Sequence, residues 1–266
     1  VPEIKTDKDM EILNKNFNLM ISQLKNQQEK LVITERYEAW GSLARKLAHE
    51  IKNPLTPIQL TIDRLKNKYS DQMSSQDQVN FKENLKIINN QIKQIENLVN
   101  EFSDFARMPK PTLKDNNLIK ILKENINLLS EVDKSIHLDL TKNSDEIILE
   151  CDKEQIARVF FNLIKNSIES IQQKAEKNPN FKKKISIEIS EINHHIKFIL
   201  IDNGIGFKTN NNIKEILNPY FTTKKNGTGL GLSIVNKIIN DHNGELEFFP
   251  IENGAKIEID FKLNGN

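Results

Sequence analysis

The stretch Leu47-Ala48-His49-Glu50-Ile51-Lys52-Asn53-Pro54 lies in the middle of an apolar pattern with helical spacing. At about 100° per residue, the apolar side chains fall on one stripe roughly 120° wide. The stripe consists of Trp40, Leu43, Leu47, Ile51, Leu55, Ile58, Ile62 and Leu65. His49 lies opposite this stripe and Glu50 at its edge, so we expect the imidazole to point to solvent or to a partner domain. Taken alone, the stretch favours a solvated histidine on a polar helix face.

The helix around His49 is predicted to run from about residue 34 to residue 69. Pro54 and Pro57 each remove a backbone donor and crowd the preceding turn. Because the apolar stripe keeps its phase across both prolines, we expect a kink in this helix rather than a stop.

A second helix should follow a polar turn at residues 70–75. Its apolar residues alternate in steps of four and three, as in a coiled coil. They are Phe81, Leu85, Ile88, Ile92, Ile95, Val99 and Phe102. Two helices joined by a short turn form an antiparallel hairpin, whose narrow apolar seams stay exposed unless a second copy covers them. The simplest structure for residues 34–108 is therefore a homodimeric four-helix bundle.

Residues 1–33 contain a further seam with helical spacing, between about residues 7 and 31. Its members are Met10, Leu13, Phe17, Met20, Leu24 and Leu31. The pattern is typical of a dimeric coiled coil, although Gln27 interrupts it, and a plain amphipathic helix is the alternative. The chain begins with Val1 rather than Met, which indicates processing or a longer parent protein.

The composition narrows the class of protein only a little. Among 266 residues, 38 Lys and Arg face 37 Asp and Glu, so no basic excess indicates a nucleic-acid surface and we expect no nucleic-acid partner. The single Cys151 permits no intrachain disulfide and fits a reducing compartment. No run of about 18 apolar residues is present, so we expect no membrane-spanning segment in this chain.

A domain boundary is predicted at Met108-Pro109-Lys110-Pro111, because the residue before each proline is pushed towards extended geometry. Beyond it, helices are predicted near 117–130, 152–177 and 230–241, with Asp152 as the N-cap of the second. Strands are predicted near 135–141, 146–151, 184–191, 195–202, 245–249 and 255–263. Helices against a mostly antiparallel sheet make residues 109–266 an α+β sandwich.

The predicted helix at 152–177 carries two asparagines four residues apart, Asn162 and Asn166. Their amide oxygens can both face a hard cation such as Mg²⁺, which takes few protein ligands and completes its shell with water and phosphate oxygens. A solvated polar face is the alternative interpretation.

Two glycine-containing segments follow. Asp202-Asn203-Gly204-Ile205-Gly206 comes directly after an apolar strand, where a carboxylate can accept a hydrogen bond from the exocyclic amine of adenine and the glycines let a flat ligand approach. Alone it would be an ordinary turn.

Gly227-Thr228-Gly229-Leu230-Gly231-Leu232-Ser233 opens a helix, and its free amides form an anion site suited to a triphosphate. This segment is neither a Walker A motif nor a dinucleotide fingerprint. The loop of roughly twenty residues between the two segments is long enough to be a lid.

Five segments together resemble, in order and spacing, the five sequence boxes of bacterial sensor histidine kinases. They are His49-Glu50-Ile51-Lys52-Asn53-Pro54, Asn162-Leu163-Ile164-Lys165-Asn166, Asp202-Asn203-Gly204-Ile205-Gly206, Pro219-Tyr220-Phe221-Thr222-Thr223-Lys224 and Gly227-Thr228-Gly229-Leu230-Gly231-Leu232. More narrowly, AHEIKNPLTPIQ at 48–59, FSDFARMPKP at 102–111 and DHNGEL at 241–246 resemble the nitrogen-regulation sensors of the NtrY type. The start of the chain resembles the second helix of a HAMP signal-relay module.

The resemblance implies a multidomain chain. Residues 1–33 would be a HAMP-like second helix and signalling coiled coil, and residues 34–108 the dimerisation and histidine phosphotransfer hairpin. Residues 109–266 would be the catalytic ATP-binding domain, an α+β sandwich of the histidine kinase, gyrase and chaperone type.

The resemblance also implies roles for single residues. His49 would be the phosphoacceptor, Glu50 the base or orienting group at its other ring nitrogen, and Asn53 the residue that orients water for the reverse phosphatase reaction. Asn162 and Asn166 match the Mg²⁺-binding box, with Asn166 favoured as the direct ligand. The implied ATP contacts are Asp202 at adenine, Gly204 and Gly206 in its turn, and Thr223, Lys224, Gly227, Thr228, Gly229, Leu230 and Gly231 at the lid and phosphates.

Two positions depart from the family pattern. Many relatives place Lys or Arg three residues after the second asparagine, where this chain has Glu169, so part of the phosphate contact must come from elsewhere or be absent. The closing box commonly reads His-Gly-Gly and is His242-Asn243-Gly244 here. Asn tolerates left-handed geometry, so we expect little change there.

The implied function is autophosphorylation of His49 from Mg²⁺-ATP, followed by transfer to an aspartate of a response regulator receiver domain. The chain would be the cytoplasmic portion of an inner-membrane protein anchored before Val1. The alternatives are an ATP-gated conformational machine, as in the gyrase and chaperone relatives, and a non-catalytic dimeric scaffold. Those machines use a catalytic Glu at the first position of the asparagine box, and Asn162 in that place argues against ATP hydrolysis.

Overall fold

The computed structural model describes residues 6–69, 75–106, 108–178, 180–207, 213–219, 221–224 and 227–263. Side chains of 29–45, and of a few other residues in the first two helices, lie outside this description. The backbone divides into two compact units, Val1–Met108 and Pro109–Asn266. Within the residues described, no helix combines the length and apolar content needed to cross a membrane.

The first unit begins with one long helix, α1, at Thr6–Tyr69. The two helices predicted at 7–31 and 34–69 are therefore continuous, because the intervening Leu-Val-Ile-Thr sequence contains neither Gly nor Pro to end a helix. Helix α1 also continues through Pro54 and Pro57, as the unbroken apolar stripe predicted. The turn predicted at 70–75 lies outside the described residues, except for Ser75, which begins α2 at Ser75–Ala106.

Helices α1 and α2 pack together through every seventh residue of each helix. Those buried positions are Ala48, Leu55 and Ile62 in α1 and Leu85, Ile92 and Val99 in α2. Gln59 and Asn89 add a hydrogen bond of 3.0 Å between the helices. Other members of the two predicted seams are exposed in the single chain, at Leu47, Ile51, Ile58, Leu65, Ile88 and Ile95. One hairpin thus leaves part of its coiled-coil positions uncovered.

The second unit contains a five-stranded sheet in the order β2-β4-β5-β7-β6 and a two-stranded sheet, β1-β3. The strands are β1 Lys114–Asn117, β2 His137–Lys142, β3 Ile148–Cys151, β4 Lys184–Ile192, β5 His195–Asp202, β6 Gly244–Ile251 and β7 Gly254–Lys262. Helices α3 Leu118–Ser130, α4 Lys153–Lys177 and α5 Gly231–Asp241 accompany them. Only β2 and β4 are parallel, which confirms the mostly antiparallel sheet. Strand β1 and a 3₁₀ turn at Ile213–Leu217 were not predicted.

The sheet and helices of this unit meet in an aliphatic core. Alternate residues of β5, namely Ile196, Phe198 and Leu200, are buried against one face. Phe198 packs on Phe160 of α4 with ring centroids 5.0 Å apart. Cys151 is fully buried at the end of β3, and burial raises the pKa of its thiol to about 11, so it is a packing residue.

Asp152 is the N-cap of α4, as predicted. Its Oδ1 accepts hydrogen bonds from the amides of Glu154 and Gln155, both at 3.1 Å. Its Oδ2 accepts the Thr112 amide at 2.9 Å. Burial opposes ionisation of this carboxyl, but the three amides outweigh it and hold its pKa below the ordinary value.

Candidate functional site

His49 is an exposed side chain on α1. Asn53, one turn later, places its Nδ2 at 3.4 Å from the ring atom Nδ1. Glu50 is exposed, and among the described side chains the contact to the ring comes from Asn53. Because the Asn53 amide nitrogen can only donate, Nδ1 accepts in this contact, which helps to hold the ring in one orientation.

Asp202 ends β5 with its carboxylate buried. Its Oδ2 accepts the hydroxyl of Ser167 on α4 at 3.0 Å, and its Oδ1 accepts the amide of Gly204 at 2.9 Å. Burial raises the pKa of this carboxyl, and the hydrogen bonds only partly offset that effect. A carboxylate with little water around it and fixed oxygens is suited to read one hydrogen-bond donor of a ligand.

The turn after Asp202 is packed too tightly for side chains at its glycines. A Cβ on Gly204 would lie 2.2 Å from Oγ of Ser170, and Gly206 has a φ of 70° with Gly254 O only 2.3 Å from where its Cβ would be. Ser170 accepts the Ile205 amide at 3.0 Å. The turn is therefore fixed against α4 and the start of β7, as a backbone platform.

Lys174 holds the same turn from α4. Its Nζ donates to the carbonyls of Asn203 and Gly204 at 2.8 and 2.9 Å. Sequence analysis missed Ser167, Ser170 and Lys174. Ser170 and Lys174 continue the four-residue spacing that begins at Asn162 and Asn166, so extending that stripe would have found them.

Asn162 and Asn166 come together at the first turn of α5. A Cβ on Gly231 would lie 3.6 Å from Oδ1 of Asn162 and 3.8 Å from Nδ2 of Asn166. Leu230 caps α5 without a side-chain hydrogen bond, so the first amides of the helix have no capping side chain. A glycine at 231 therefore leaves the asparagine amides next to the first backbone amides of α5.

The residues before α5 form close turns. Gly229 has a φ of 70°, and Thr228 Oγ1 lies 3.4 Å from the Leu230 amide. A Cβ on Gly227 would meet Oγ1 of Thr222 at 2.5 Å, while Thr223 is exposed. Residues 208–212, 220, 225 and 226 of the predicted lid lie outside the described residues.

Lys224 contacts two side chains of α4. Its Nζ donates to Oδ1 of Asn166 at 2.9 Å and to a carboxylate oxygen of Glu169. At position 169, where many relatives have Lys or Arg, this chain has a carboxylate that pairs with Lys224 from another segment. Oxygens of Asn166 and Glu169 already converge on one positive group.

The asparagine pair has suitable chemistry for Mg²⁺. Amide oxygens are hard donors, and the Asn166 oxygen accepts a cationic group. Within the described part of the chain, no three His, Cys, Asp or Glu residues cluster as metal ligands. A cation held by Asn162 and Asn166 would complete its shell with other oxygens, such as those of water and phosphate.

The closing box is structural. His242 is buried, its Nε2 accepts the Asp152 amide at 3.0 Å, and its Nδ1 lies 2.7 Å from the Ile238 carbonyl. Both ring nitrogens of His242 thus have partners within the unit. Asn243 has a φ of 56°, which confirms that asparagine takes the left-handed geometry expected at this position.

Comparisons with known proteins cover both units. Residues 39–111 match the family described as "His Kinase A (phospho-acceptor) domain", and residues 151–265 match "Histidine kinase-, DNA gyrase B-, and HSP90-like ATPase". The chain is 38% identical over 265 residues to the putative sensor histidine kinase NtrY-like protein of Rickettsia felis, covering 99% of this chain and 43% of that protein. It is 34% identical to nitrogen regulation protein NtrY of Azorhizobium caulinodans, covering 89% of this chain and 30% of that protein. The chain therefore spans less than half the length of these two relatives.

One solved structure has the same fold over most of the chain. It is the histidine kinase ThkA in complex with response regulator protein TrrA, with a TM-score of 0.60 and 24% identity. The similarity covers 91% of this chain and 67% of that one.

Proposed function

Because this chain belongs to the sensor histidine kinases and resembles their NtrY-like members, we propose that it transfers the γ-phosphoryl group of ATP to His49. A ring nitrogen of His49 forms the bond to phosphorus while the bond from phosphorus to the bridging oxygen of ADP breaks. The observation that carries the proposal is the meeting of Asn162, Asn166 and Gly231 at the first turn of α5. Positioning and charge neutralisation dominate phosphoryl transfer, and this arrangement supplies both.

Each side of the ATP site has a proposed role. Asp202 accepts the exocyclic amine of adenine, on the platform that Gly204 and Gly206 permit. Residues 227–231 and Thr223 contact the phosphates through the lid and the start of α5. Asn166, with Asn162, would hold Mg²⁺, which neutralises charge on the phosphates.

We assign the chemistry at the other unit to three residues. His49 is the nucleophile, and its exposure lets both a donor and an acceptor reach it. Glu50 orients the imidazole or takes its proton when the reacting geometry forms. Asn53, next to the ring, orients water for dephosphorylation of a partner.

The half-exposed seam supports a homodimer. Ile51, Ile58, Ile88 and Ile95 are apolar and exposed on one hairpin, and a second hairpin would bury them in a four-helix bundle. The solved ThkA structure contains a response regulator, and we infer that a receiver aspartate takes the phosphoryl group from His49.

We further propose that residues 1–33 relay a signal, that 34–108 form the phosphotransfer hairpin and that 109–266 form the catalytic domain. The parent protein would be membrane-anchored before Val1, with this portion in the cytoplasm and a role in nitrogen signalling.

The test is labelling of the chain with γ-labelled ATP and Mg²⁺. We expect an acid-labile, alkali-stable label that His49→Gln abolishes, while ATP still raises the melting temperature of that variant because ligand binding stabilises the folded state. Label that persists in His49→Gln would contradict the assignment. Absence of any stabilisation by Mg²⁺-ATP in the unmodified chain would instead favour the non-catalytic scaffold.

A further inference from the structure

The Lys224 ammonium is held by Glu169 and by Asn166, one of the two asparagines implied at the metal site. It donates to Asn166 Oδ1 at 2.9 Å and forms an ion pair with Glu169 Oε2. Glu169 lies three residues after Asn166, on the same side of α4, and its Oε1 is 3.9 Å from Lys165 Nζ. Both side chains of the Lys224–Glu169 pair are largely shielded from solvent, at 27% and 35% exposure.

Asn166 Oδ1 cannot serve this ammonium and a divalent cation together. Two positive groups within about 3 Å of one oxygen repel strongly in a partly buried site. For a cation to take that oxygen, the Lys224 amine must move away. The nearest new negative charge would then be the polyphosphate that arrives with the cation.

The backbone of Lys224 is coupled to its side chain. Its amide donates to Thr222 Oγ1 at 3.1 Å, and its carbonyl accepts the Gly227 amide at 3.3 Å. A Cβ on Gly227 would be only 3.1 Å from the Lys224 Cβ. The Lys224 side chain therefore links the hydrogen-bonded residues Thr222, Lys224 and Gly227 to α4.

We propose that Glu169 is a positioning residue that holds Lys224 on Asn166 while no nucleotide is bound, and that the Lys224 amine passes from Glu169 to the phosphates when Mg²⁺-nucleotide binds. The proposal rests on the proposed function. It explains how phosphate can still be contacted by a basic residue although position 169 is acidic here and basic in many relatives. Lys224 supplies the positive group that meets the phosphates, and Glu169 keeps this group near the site.

Hydrogen exchange of the nucleotide-free chain tests the holding contact directly. In Glu169→Gln, amides in peptides covering 221–229 should exchange about two- to fivefold faster, in keeping with the loss of one partly shielded ion pair. Glu176→Gln is the matched control, because Glu176 is an exposed residue near the far end of α4 and carries the same charge. Unchanged exchange in Glu169→Gln would overturn the proposal.

Calorimetric titration with ATP tests whether the Lys224 amine moves from Glu169 to the phosphates. Glu169→Gln should bind ATP about two- to fivefold more tightly in Mg²⁺, with a smaller gain in EDTA, because the competitor at Asn166 is weakened. When Lys224→Met is already present, adding Glu169→Gln should change the Mg²⁺-dependent part of the ATP affinity very little. Weaker Mg²⁺-dependent binding by Glu169→Gln would overturn the proposal, because it would make Glu169 a cation ligand. If the unmodified chain binds no ATP, the proposed function fails, whereas the exchange experiment still decides the contact.

Discussion

The Ser167 hydroxyl donates to the Asp202 carboxylate at 3.0 Å, and both side chains are buried. This bond joins the helix that carries Asn162 and Asn166 to the strand end proposed to read adenine. The base-reading group and the phosphate-binding groups are therefore fixed in one rigid frame, since α4 contributes to both.

Asp202→Asn should weaken ATP binding about tenfold, because an NH2 donor replaces one carboxylate oxygen and the remaining oxygen is an uncharged, weaker acceptor. Burial raises the pKa of Asp202, so protonation should reduce the affinity of the unmodified chain at a higher pH than for an exposed aspartate. Titration calorimetry between pH 4 and 8 measures both effects. Asp115 is exposed, so Asp115→Asn is the control and should show the same dependence of ATP affinity on pH as the parent. If Asp202→Asn and the parent show the same pH dependence, Asp202 does not bind adenine.

Gly231→Ala should separate binding from stability. The new methyl would lie in ordinary contact with Asn162 Oδ1, at 3.6 Å, so the fold tolerates it and the helix gains up to about 1 kcal/mol. The methyl also narrows the space between the asparagines and the first amides of α5. We expect nucleotide affinity to fall about tenfold or more with an unchanged or raised melting temperature. Normal affinity in this variant would show that phosphates bind elsewhere.

Asp133→Asn should destabilise the second unit in a pH-dependent manner. Lys183 Nζ at 2.8 Å, assisted by Ser135 and Gln172, holds the pKa of Asp133 far below its ordinary value of 3.8. A lowered folded-state pKa stabilises the protein above the ordinary pKa, and this stabilisation is lost as pH falls through the folded value. We expect a loss of about 2 kcal/mol at pH 7 by urea unfolding, with the difference from the parent shrinking below pH 3.8.

The exposed pair Lys134–Glu131 provides the control for that experiment. Its side chains are 75% and 70% exposed, so Glu131→Gln should change the free energy of unfolding very little. Equal losses for the two variants would contradict the special role of Asp133.

Ile58→Glu with Ile95→Glu should convert the dimer to a monomer. Both side chains are more than two-fifths exposed in the single hairpin, at 44% each, so the charges are tolerated in one copy but not at an apolar seam between two. Analytical ultracentrifugation should show the mass fall from two chains to one. Gln59→Ala, which removes a contact inside the hairpin, should leave the dimer intact. A dimeric double variant would place the interface elsewhere.

The periodicity of apolar residues was sufficient to predict most elements of the fold. Alternation over β5 and the Asp152 cap were predictable because both depend on neighbours close in sequence. Strand β1 was missed because its sequence, Lys-Asp-Asn-Asn, has poor strand propensity and pairs with β3 from a distance. Helix α1 runs through residues 31–34 without interruption because that sequence contains neither Gly nor Pro.

The candidate site was only partly predictable. Residue type and spacing singled out Asn162, Asn166 and Asp202, with a solvated face and an ordinary turn as the alternatives. Ser167, in contrast, matters because a strand 35 residues away brings a carboxylate to it. The contact of Lys224 with Glu169, 55 residues apart, likewise depends on how the segment after β5 returns to α4. No local pattern contains that information.

The carboxylate of Asp152 both caps α4 and holds Thr112, and Gln155 Nε2 holds the Pro109 carbonyl at 3.0 Å. The segment that enters the second unit, at residues 109–112, is thus held at two points by the start of α4. Replacing Asp152 would therefore loosen two parts of this unit at once, the first turn of α4 and the segment that leads into β1.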